Sequence, residues 1–352
     1  MEKDFVQSAS HPTFPSIDED TWRSAVAKAE QSLEETINGL RFSAINTASA
    51  LPPPAPDNQT KSLPPFGILE VALPTPLTPA LRKPLLATQA SGWKINPPDL
   101  SMLLEWHSDS NAPFARLSVE PTEPDFERSL YLTYLGEQPD ARVSGAIYLP
   151  LAHLSHWQTG SPDWRALHEL THQTSDLINL TTITVRGDEF EQWGASASDE
   201  LALTLSWWVA YCDQLTDLGL PIETILARTE LSLSTDADYF VGLAKFRAVR
   251  YLINKIAQAY GVAEDTEARP RVRAVSGLRN KTYYDPDTNL LRNTTDALAS
   301  LLGGVDTLSL APHDFLGASP DPFGIRMVSN TYHILCHEAQ LGKVTDPAAG
   351  SY

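Results

Sequence analysis

The chain has 352 residues, 42% of them hydrophobic, so it is long enough to bury one large core or two modest ones. Its 44 acidic residues outnumber its 26 basic residues, which gives a net charge of −18. Because a surface of that sign repels phosphate backbones and anionic lipid, the composition argues against a nucleic-acid-binding or membrane-bound protein.

Cysteine usage and the N-terminal sequence indicate the compartment. The two cysteines, Cys212 and Cys336, lie in helical patterns and form no Cys-x-x-Cys motif, so we interpret them as isolated thiols rather than a disulfide framework. Met1–Phe5 has no basic and apolar signal pattern, and no window of the sequence is apolar enough to span a bilayer. These observations predict a cytoplasmic protein.

Residues 1–60 are predicted to form an N-terminal arm. The acidic stretch Ser16–Asp20 caps an amphipathic helix over residues 21–37, and Asn38-Gly39 forms a turn. A proline-rich strap, Leu51–Asn58, then forms a stiff extended stretch. Because this region has too few apolar residues for a core of its own, we expect it to lie on another surface.

From residue 61 onward, short apolar runs alternate with helical segments. The runs are β-branched and apolar on both faces, as strands covered by helices require. The predicted strands are Phe66–Val71, Leu100–Trp106, Ala115–Val119, Leu130–Leu135, Gly145–Leu149, Thr181–Val185, Val272–Val275, Thr307–Leu310 and Lys343–Val344.

The helices are clearest in the second half of the chain. One is predicted from Asp199 to Gly219, and another from near Asp238 to Gly261. A third ends at Gly303-Gly304, and a fourth runs from Arg326 to Glu338. About eight strand–helix steps in roughly 290 residues predict an α/β protein with a (β/α)8 TIM barrel over residues 61–352.

The sharpest local motif is His168-Glu169-Leu170-Thr171-His172, a complete His-Glu-x-x-His. On a helix, His168 and His172 share one face and would bind Zn²⁺, with Glu169 as general base. The histidine that extends this motif in many zinc proteases is missing, and Glu189 and Glu191 are the acidic residues that follow it at a tolerable distance. A metal-dependent hydrolase is therefore an alternative function, and solvated histidines on an ordinary helix are the favoured interpretation.

Other polar and aromatic groups give no clear catalytic pattern. His313-Asp314 follows a predicted strand, where barrel enzymes place functional groups, but we interpret it as a loop or capping pair because no partner group is evident. Metal binding by His333, Cys336 and His337 would need better ligand spacing. Tryptophans 193, 207 and 208 are assigned to the core and to interfaces. We predict no catalytic, cofactor-binding or metal-binding residue.

The C-terminal seventy residues resemble a known family. They contain in order an Asp-Pro turn, Asn-x-x-Arg, Gly-Gly, Arg-x-x-x-Asn-Thr and Asp-Pro-Ala-x-Gly-Ser-Tyr, beginning at Asp285, Asn289, Gly303, Arg326 and Asp346. This order resembles the barrel domain of the methylmalonyl-CoA mutase family, above all the small, non-catalytic chains of its two-chain bacterial members. Gly194-Ala195 followed by Glu200, the Ala-Lys-x-Arg-Ala helix at 244–248 with Arg250, and Trp22 near the N-terminus are similar too.

The resemblance implies what catalytic members do and where this chain departs from them. Catalytic members hold acyl-CoA along the barrel axis and interconvert methylmalonyl-CoA and succinyl-CoA with adenosylcobalamin. Glu189 stands where they have a functional histidine, and Arg271–Leu278 stands where they have Arg-Thr-His-Ser-Gln-Thr-Ser-Gly. A carboxylate there stabilises no oxyanion, so we expect bulky apolar side chains to fill the bore. The family's C-terminal cobalamin-binding domain, with its Asp-x-His-x-x-Gly, is expected to be absent.

Three hypotheses follow. In the first, the chain is a small-subunit-like component that supports a catalytic large subunit in a heterodimer, and the partner binds adenosylcobalamin and acyl-CoA. In the second, it is a metal-dependent hydrolase that uses His168, Glu169 and His172. In the third, it is a self-associating, non-enzymatic barrel scaffold.

Overall fold

The computed structural model describes residues 163–343, apart from 178, 264–265, 267 and 318–321, and residues 346–348. Before residue 150 it describes residues 24, 34–37, 40–43, 68–72, 92–95, 116–119 and 144–148. The chain divides into two units, Met1–Asp57 and Asn58–Ser351.

The first unit contains an antiparallel hairpin. Strand β1 (Glu34–Ile37) pairs with β2 (Leu40–Ser43), and Ile37 lies opposite Leu40 across the two-residue link Asn38-Gly39. The predicted helix over residues 21–37 is therefore wrong at its C-terminal end. The sequence agrees with this pairing, because an Asn-Gly pair between two strands favours a hairpin over a continuing helix.

The second unit is built on parallel strands. They are β3 (Ile68–Ala72), β4 (Gly92–Ile95), β5 (Arg116–Val119), β6 (Ser144–Ile147), β7 (Leu180–Thr181), β8 (Ile183–Arg186), β9 (Thr229–Ser234), β10 (Arg271–Val275) and β11 (Thr307–Ser309). Their order is β7-β6-β5-β4-β3-β11-β10-β9-β8, and all the pairings are parallel. Strands β7 and β8 are two pieces of one strand that flank Thr182, so the ring of pairings closes into eight strand positions, as the predicted (β/α)8 barrel requires.

Helices surround the second half of this ring. They are α1 (Trp164–Gln173), α2 (Asp188–Gln192), α3 (Ala197–Asp217), α4 (Ile222–Ala227), α5 (Tyr239–Ala259), α6 (Thr288–Leu302) and α7 (Pro322–His333). A π-helical turn over Ile334–Glu338 extends α7, and a 3₁₀ turn covers Leu341–Lys343. Among the described helices, none has an apolar stretch long enough to cross a bilayer.

Local sequence explains where the two longest helices begin. Ser196 and Asp199 form a reciprocal capping box at the start of α3, and Asp238 accepts backbone N–H groups at the start of α5. One apolar core lies between these helices and the strands, with Trp208, Phe246, Val249 and Leu231 among its buried members.

Most of the predicted strands that fall on described residues are present. The exception is Lys343–Val344, because Lys343 belongs to the 3₁₀ turn, so that prediction is wrong. The predictions Leu100–Trp106 and Leu130–Leu135 lie outside the described residues. Strands β4 and β9 were not predicted.

Candidate site in the barrel bore

Polar side chains from five strands meet inside the ring, and all are at most 5% exposed. They are Glu70 from β3, Ser118 from β5, Glu230 from β9, Arg273 from β10 and Ser309 from β11. Tyr148, directly after β6, is also fully buried among them. Because side chains alternate along a strand, the apolar neighbours point away from the bore and belong to the apolar core: Leu69, Val119, Leu231, Val272 and Ala274.

Arg273 is the centre of this bore network. Its Nη2 donates to Glu70 Oε1 at 2.5 Å and to Ser309 Oγ at 2.9 Å. Its Nη1 donates to the Tyr148 hydroxyl at 2.5 Å, and that hydroxyl donates to Glu230 Oε1 at 2.6 Å. Ser118 Oγ donates to the other Glu70 oxygen at 2.5 Å. One guanidinium therefore joins strands that lie on opposite sides of the ring.

The network is electrostatically balanced. Burial alone would lower the pKa of Arg273, but Glu70, Tyr148 and Glu230 raise it above its ordinary value, so the residue stays charged. At the carboxyl end of β8, Arg186 forms a bidentate ion pair with Asp188 at 2.7 Å. Burial alone would raise the pKa of Asp188, but Arg186 lowers it below its usual value.

A half-buried lysine completes the charge balance. Lys94 Nζ lies 4.8 Å from the centre of the Tyr148 ring. Together with the two arginines of the bore it balances three carboxylates, those of Glu70, Asp188 and Glu230. The expectation that bulky apolar side chains fill the bore is wrong: the bore is filled by paired charges, and the physical reason is that each buried carboxylate has a cation or hydroxyl donor within reach.

The family-like residues Glu200, Lys245 and Arg247 form a second set of ion pairs, outside the bore. Lys245 donates to Glu200 at 2.7 Å, with both side chains 1% exposed, and Ser234 donates to the same carboxylate from its N–H and its hydroxyl. Arg247 holds both oxygens of Asp346 at 2.9 Å. These contacts tie α5 to α3, to β9 and to the Asp-Pro-Ala segment, so the motif residues act as structural ties.

Arg250 makes a similar tie further along α5. Its Nη2 donates to Asp306 Oδ2 at 2.6 Å and to the carbonyl of Gly304 at 2.7 Å. The same Asp306 oxygen accepts the N–H of Val272 at 2.6 Å. One carboxylate thus connects α5 to the start of β10 and of β11.

The family model for methylmalonyl-CoA mutase matches residues 161–352, more than half of the chain. The chain belongs to the methylmalonyl-CoA mutase family. Three similar proteins have names that contain "methylmalonyl-CoA mutase". The "Methylmalonyl-CoA mutase small subunit" of Porphyromonas gingivalis is 30% identical over 226 residues, which is 64% of this chain and 37% of that protein.

The other two relatives are matched over shorter stretches. The "Probable methylmalonyl-CoA mutase small subunit" of Mycobacterium tuberculosis strain H37Rv is 37% identical, covering 49% of this chain and 29% of that protein. The "Methylmalonyl-CoA mutase" of Escherichia coli is 28% identical, covering 51% of this chain and 25% of that protein. The chain thus spans between a quarter and two fifths of the length of these mutase relatives.

The sequence differs from the catalytic mutases at Glu189 and in the stretch Arg271–Leu278, and the structure places these two regions in different surroundings. Arg273, in the stretch aligned with the second catalytic motif, is the centre of the bore network. Glu189 lies on α2 and is half-buried. The neighbouring Glu191 has its pKa raised by burial, although the N–H groups of Leu278 and Arg279 partly offset the effect.

The His-Glu-x-x-His motif lies on α1, as predicted. The rings of His168 and His172 stack with centroids 6.4 Å apart, and Glu169 and His172 are exposed. Across the described residues, no three His, Cys, Asp or Glu side chains converge on a position that suits a metal ion. The two histidines therefore share a helix face, as the hydrolase alternative requires, but the described residues provide no third ligand.

His313 lies directly beyond β11 and is almost completely buried. Its Nε2 is 3.9 Å from Asp287 Oδ1, and its Nδ1 is 3.9 Å from Asp314 Oδ1, both too long for hydrogen bonds. Its carbonyl accepts Asn289 Nδ2 at 2.8 Å, and its ring packs edge-on against Phe323. This geometry agrees with the interpretation of His313-Asp314 as a loop pair that anchors α6 and α7.

The remaining candidates are placed as follows. His333 and His337 stack with centroids 5.7 Å apart, and burial raises the pKa of the neighbouring Cys336 thiol. Trp207 and Trp208 are buried in the core, whereas Trp193 is 61% exposed.

Proposed function

We propose that this chain is a non-catalytic, small-subunit-like component of an adenosylcobalamin-dependent methylmalonyl-CoA mutase. In this proposal it pairs as a heterodimer with a catalytic large subunit in the cytoplasm, and the partner binds acyl-CoA and the cobalamin. The observation that carries the proposal is the filled bore, in which Arg273, Glu70, Tyr148 and Glu230 are bonded to one another.

The bore network works against substrate entry. A thioester passing along the barrel axis would have to separate Arg273 from Glu70 and from Tyr148. Leaving one buried charge without its partner costs about 3–5 kcal/mol, and several such contacts would have to break. The described bore residues therefore do not fit a reacting acyl group or the adenosyl group of the cofactor, and the proposal places both in the partner.

The chain would contribute a rigid barrel with a charge-balanced bore to the complex. The described charges of the bore are paired with one another, so the bore needs no ligand to satisfy them. In this proposal residues 61–352 form the barrel domain, and the arm of residues 1–60 acts as a clasp on the partner. The names of the relatives from Porphyromonas gingivalis and Mycobacterium tuberculosis, which specify a small subunit, support this arrangement.

Co-expression with a catalytic mutase chain tests the proposal. The chain alone, supplied with adenosylcobalamin and methylmalonyl-CoA, should show no turnover, and co-expression should give a one-to-one complex by light scattering. The complex should be active only when the catalytic chain keeps its functional histidine. Turnover by the isolated chain would contradict the proposal, and so would self-association without any uptake of the catalytic chain.

Two corresponding substitutions, one in each chain of the complex, determine which chain carries out catalysis. Replacing the functional histidine of the catalytic chain should abolish activity of the complex. The substitution Glu189→Gln, at the corresponding position of this chain, should leave kcat within about twofold, because Glu189 touches no reacting atom in this proposal. A loss of kcat of a hundredfold or more in Glu189→Gln would assign catalysis to this barrel instead.

A further inference from the structure

The geometry points to a carboxylate receptor in the bore that the chain fills with its own Glu70. Arg273 Nη2 donates to one Glu70 oxygen and Ser118 Oγ to the other, each at 2.5 Å. A cationic and a neutral donor that grip opposite oxygens are what a protein uses to bind a free carboxylate. Glu70 is completely buried, so it behaves as a ligand that is covalently attached to its site.

The donors are held in place by groups other than Glu70. Arg273 Nη1 is fixed on the Tyr148 hydroxyl, which is fixed in turn on Glu230. Ser309 accepts a further hydrogen bond from Arg273 Nη2 at 2.9 Å. Because these contacts do not involve Glu70, we expect them to remain when its side chain is removed, and the receptor should keep its shape without its internal ligand.

The receptor also has a donor that Glu70 leaves unused. Arg273 is 2% exposed, and its Nε is buried without a hydrogen-bond partner among the described residues. Buried N–H groups are nearly always paired, so this one marks unused binding capacity for an anion. It is independent of the two contacts that hold Glu70.

The covalent structure of Glu70 sets the size of the ligand. The substitution Glu70→Ala removes one methylene and the carboxylate, a volume that acetate matches. The substitution Glu70→Gly removes one carbon more, which propionate matches. The ligand class is therefore a small monocarboxylate, and the preferred chain length should change by one carbon between the two variants. This inference does not depend on a partner chain or on mutase activity.

Thermal unfolding of the full 352-residue chain tests the inference. Glu70→Ala should unfold at a lower temperature than the wild type in sodium chloride at pH 7.5. Sodium acetate at 100 mM and matched ionic strength should raise its midpoint by about 2–4 °C, as expected for a ligand with a Kd on the order of 1–10 mM. Propionate should have the larger effect on Glu70→Gly, and neither salt should shift the wild type, whose receptor is occupied.

A double variant provides the control. Glu70→Ala combined with Arg273→Met removes both charges, so it should fold without an unpaired buried ion and should not respond to acetate. If Glu70→Ala folds only in acetate, the inference is supported. The inference is overturned if acetate gives Glu70→Ala no more than chloride does, whatever its stability, or if the double variant responds equally.

Discussion

The substitution Lys245→Met tests whether the family's Ala-Lys-x-Arg helix is an architectural tie. Lys245 and Glu200 form an ion pair at 2.7 Å, and both side chains are 1% exposed. Removing the lysine leaves a buried carboxylate with only the two Ser234 donors shown around it. Loss of one partner of a buried pair costs about 3–5 kcal/mol. For a domain of this size we expect the melting temperature to fall by roughly 5–8 °C.

The loss should depend on pH in a defined direction. Burial raises the pKa of Glu200 in the fold, and Lys245 and Ser234 only partly offset that effect. Without Lys245 the pKa should rise further, so the folded variant binds a proton that the unfolded chain does not bind at the same pH. Stability of the variant should therefore fall as the pH rises from the unfolded glutamate pKa through the folded one. The deficit relative to the wild type should be larger at pH 8 than at pH 5.

Urea denaturation followed by circular dichroism at the two pH values measures this deficit. Lys255→Met on the same helix is the matched control, since Lys255 is exposed and its loss should change stability by less than about 0.5 kcal/mol. Glu200→Gln combined with Lys245→Met should recover most of the loss. The reasoning is refuted if Lys245→Met is as stable as Lys255→Met, or if its deficit grows as the pH falls.

Three further predictions concern other buried groups. Arg228→Met should destabilise the fold by about 3 kcal/mol and speed amide exchange in the segment that joins α1 to β7, because the Arg228 guanidinium donates to four backbone carbonyls between Thr174 and Leu180. Unchanged exchange in that segment would contradict this. Gly187→Ala should lower the free energy of unfolding by at least about 2 kcal/mol, since a Cβ at this position would lie 2.0 Å from Thr204 Oγ1. Urea denaturation measures this loss, and a midpoint equal to that of the wild type would contradict the prediction. Burial raises the pKa of the Cys212 thiol to about 12, so a thiol reagent at pH 8 should label Cys212 only at the rate of unfolding. If Cys212 were labelled faster than the half-buried Cys336, this prediction would be contradicted.

The fold was predictable from sequence because apolar strands and helix caps are local signals. Thr181–Val185 and Val272–Val275 are β-branched runs, and Asp238 precedes an evident helix. Strand β9 was not predicted because the expected strands were apolar on both faces, whereas its sequence, Thr-Glu-Leu-Ser-Leu-Ser, is polar at four of its six positions. In a barrel the polar positions of such a strand can face the bore, and here they are buried with the rest of the strand.

The bore network was not predictable, since nothing local relates its members. Glu70 and Arg273 are 203 residues apart in sequence, and each occurs in a strand that looks apolar. A charged residue inside an apolar strand is the one signal that could have marked them, because unpaired charges are rarely buried. The expectation that apolar side chains fill the bore was based on the absence of a catalytic motif. That absence does not indicate which side chains occupy the place of the catalytic ones.

The long separation between Glu70 and Arg273 also bears on how the chain reaches its native state. The carboxylate belongs to the first barrel strand, whereas the guanidinium belongs to the seventh, so most of the polypeptide must be synthesised before they meet. Closing so long a loop carries an entropic cost that local contacts cannot offset. The early strands should therefore stay open to solvent during translation, and the ring should close in one late, cooperative step.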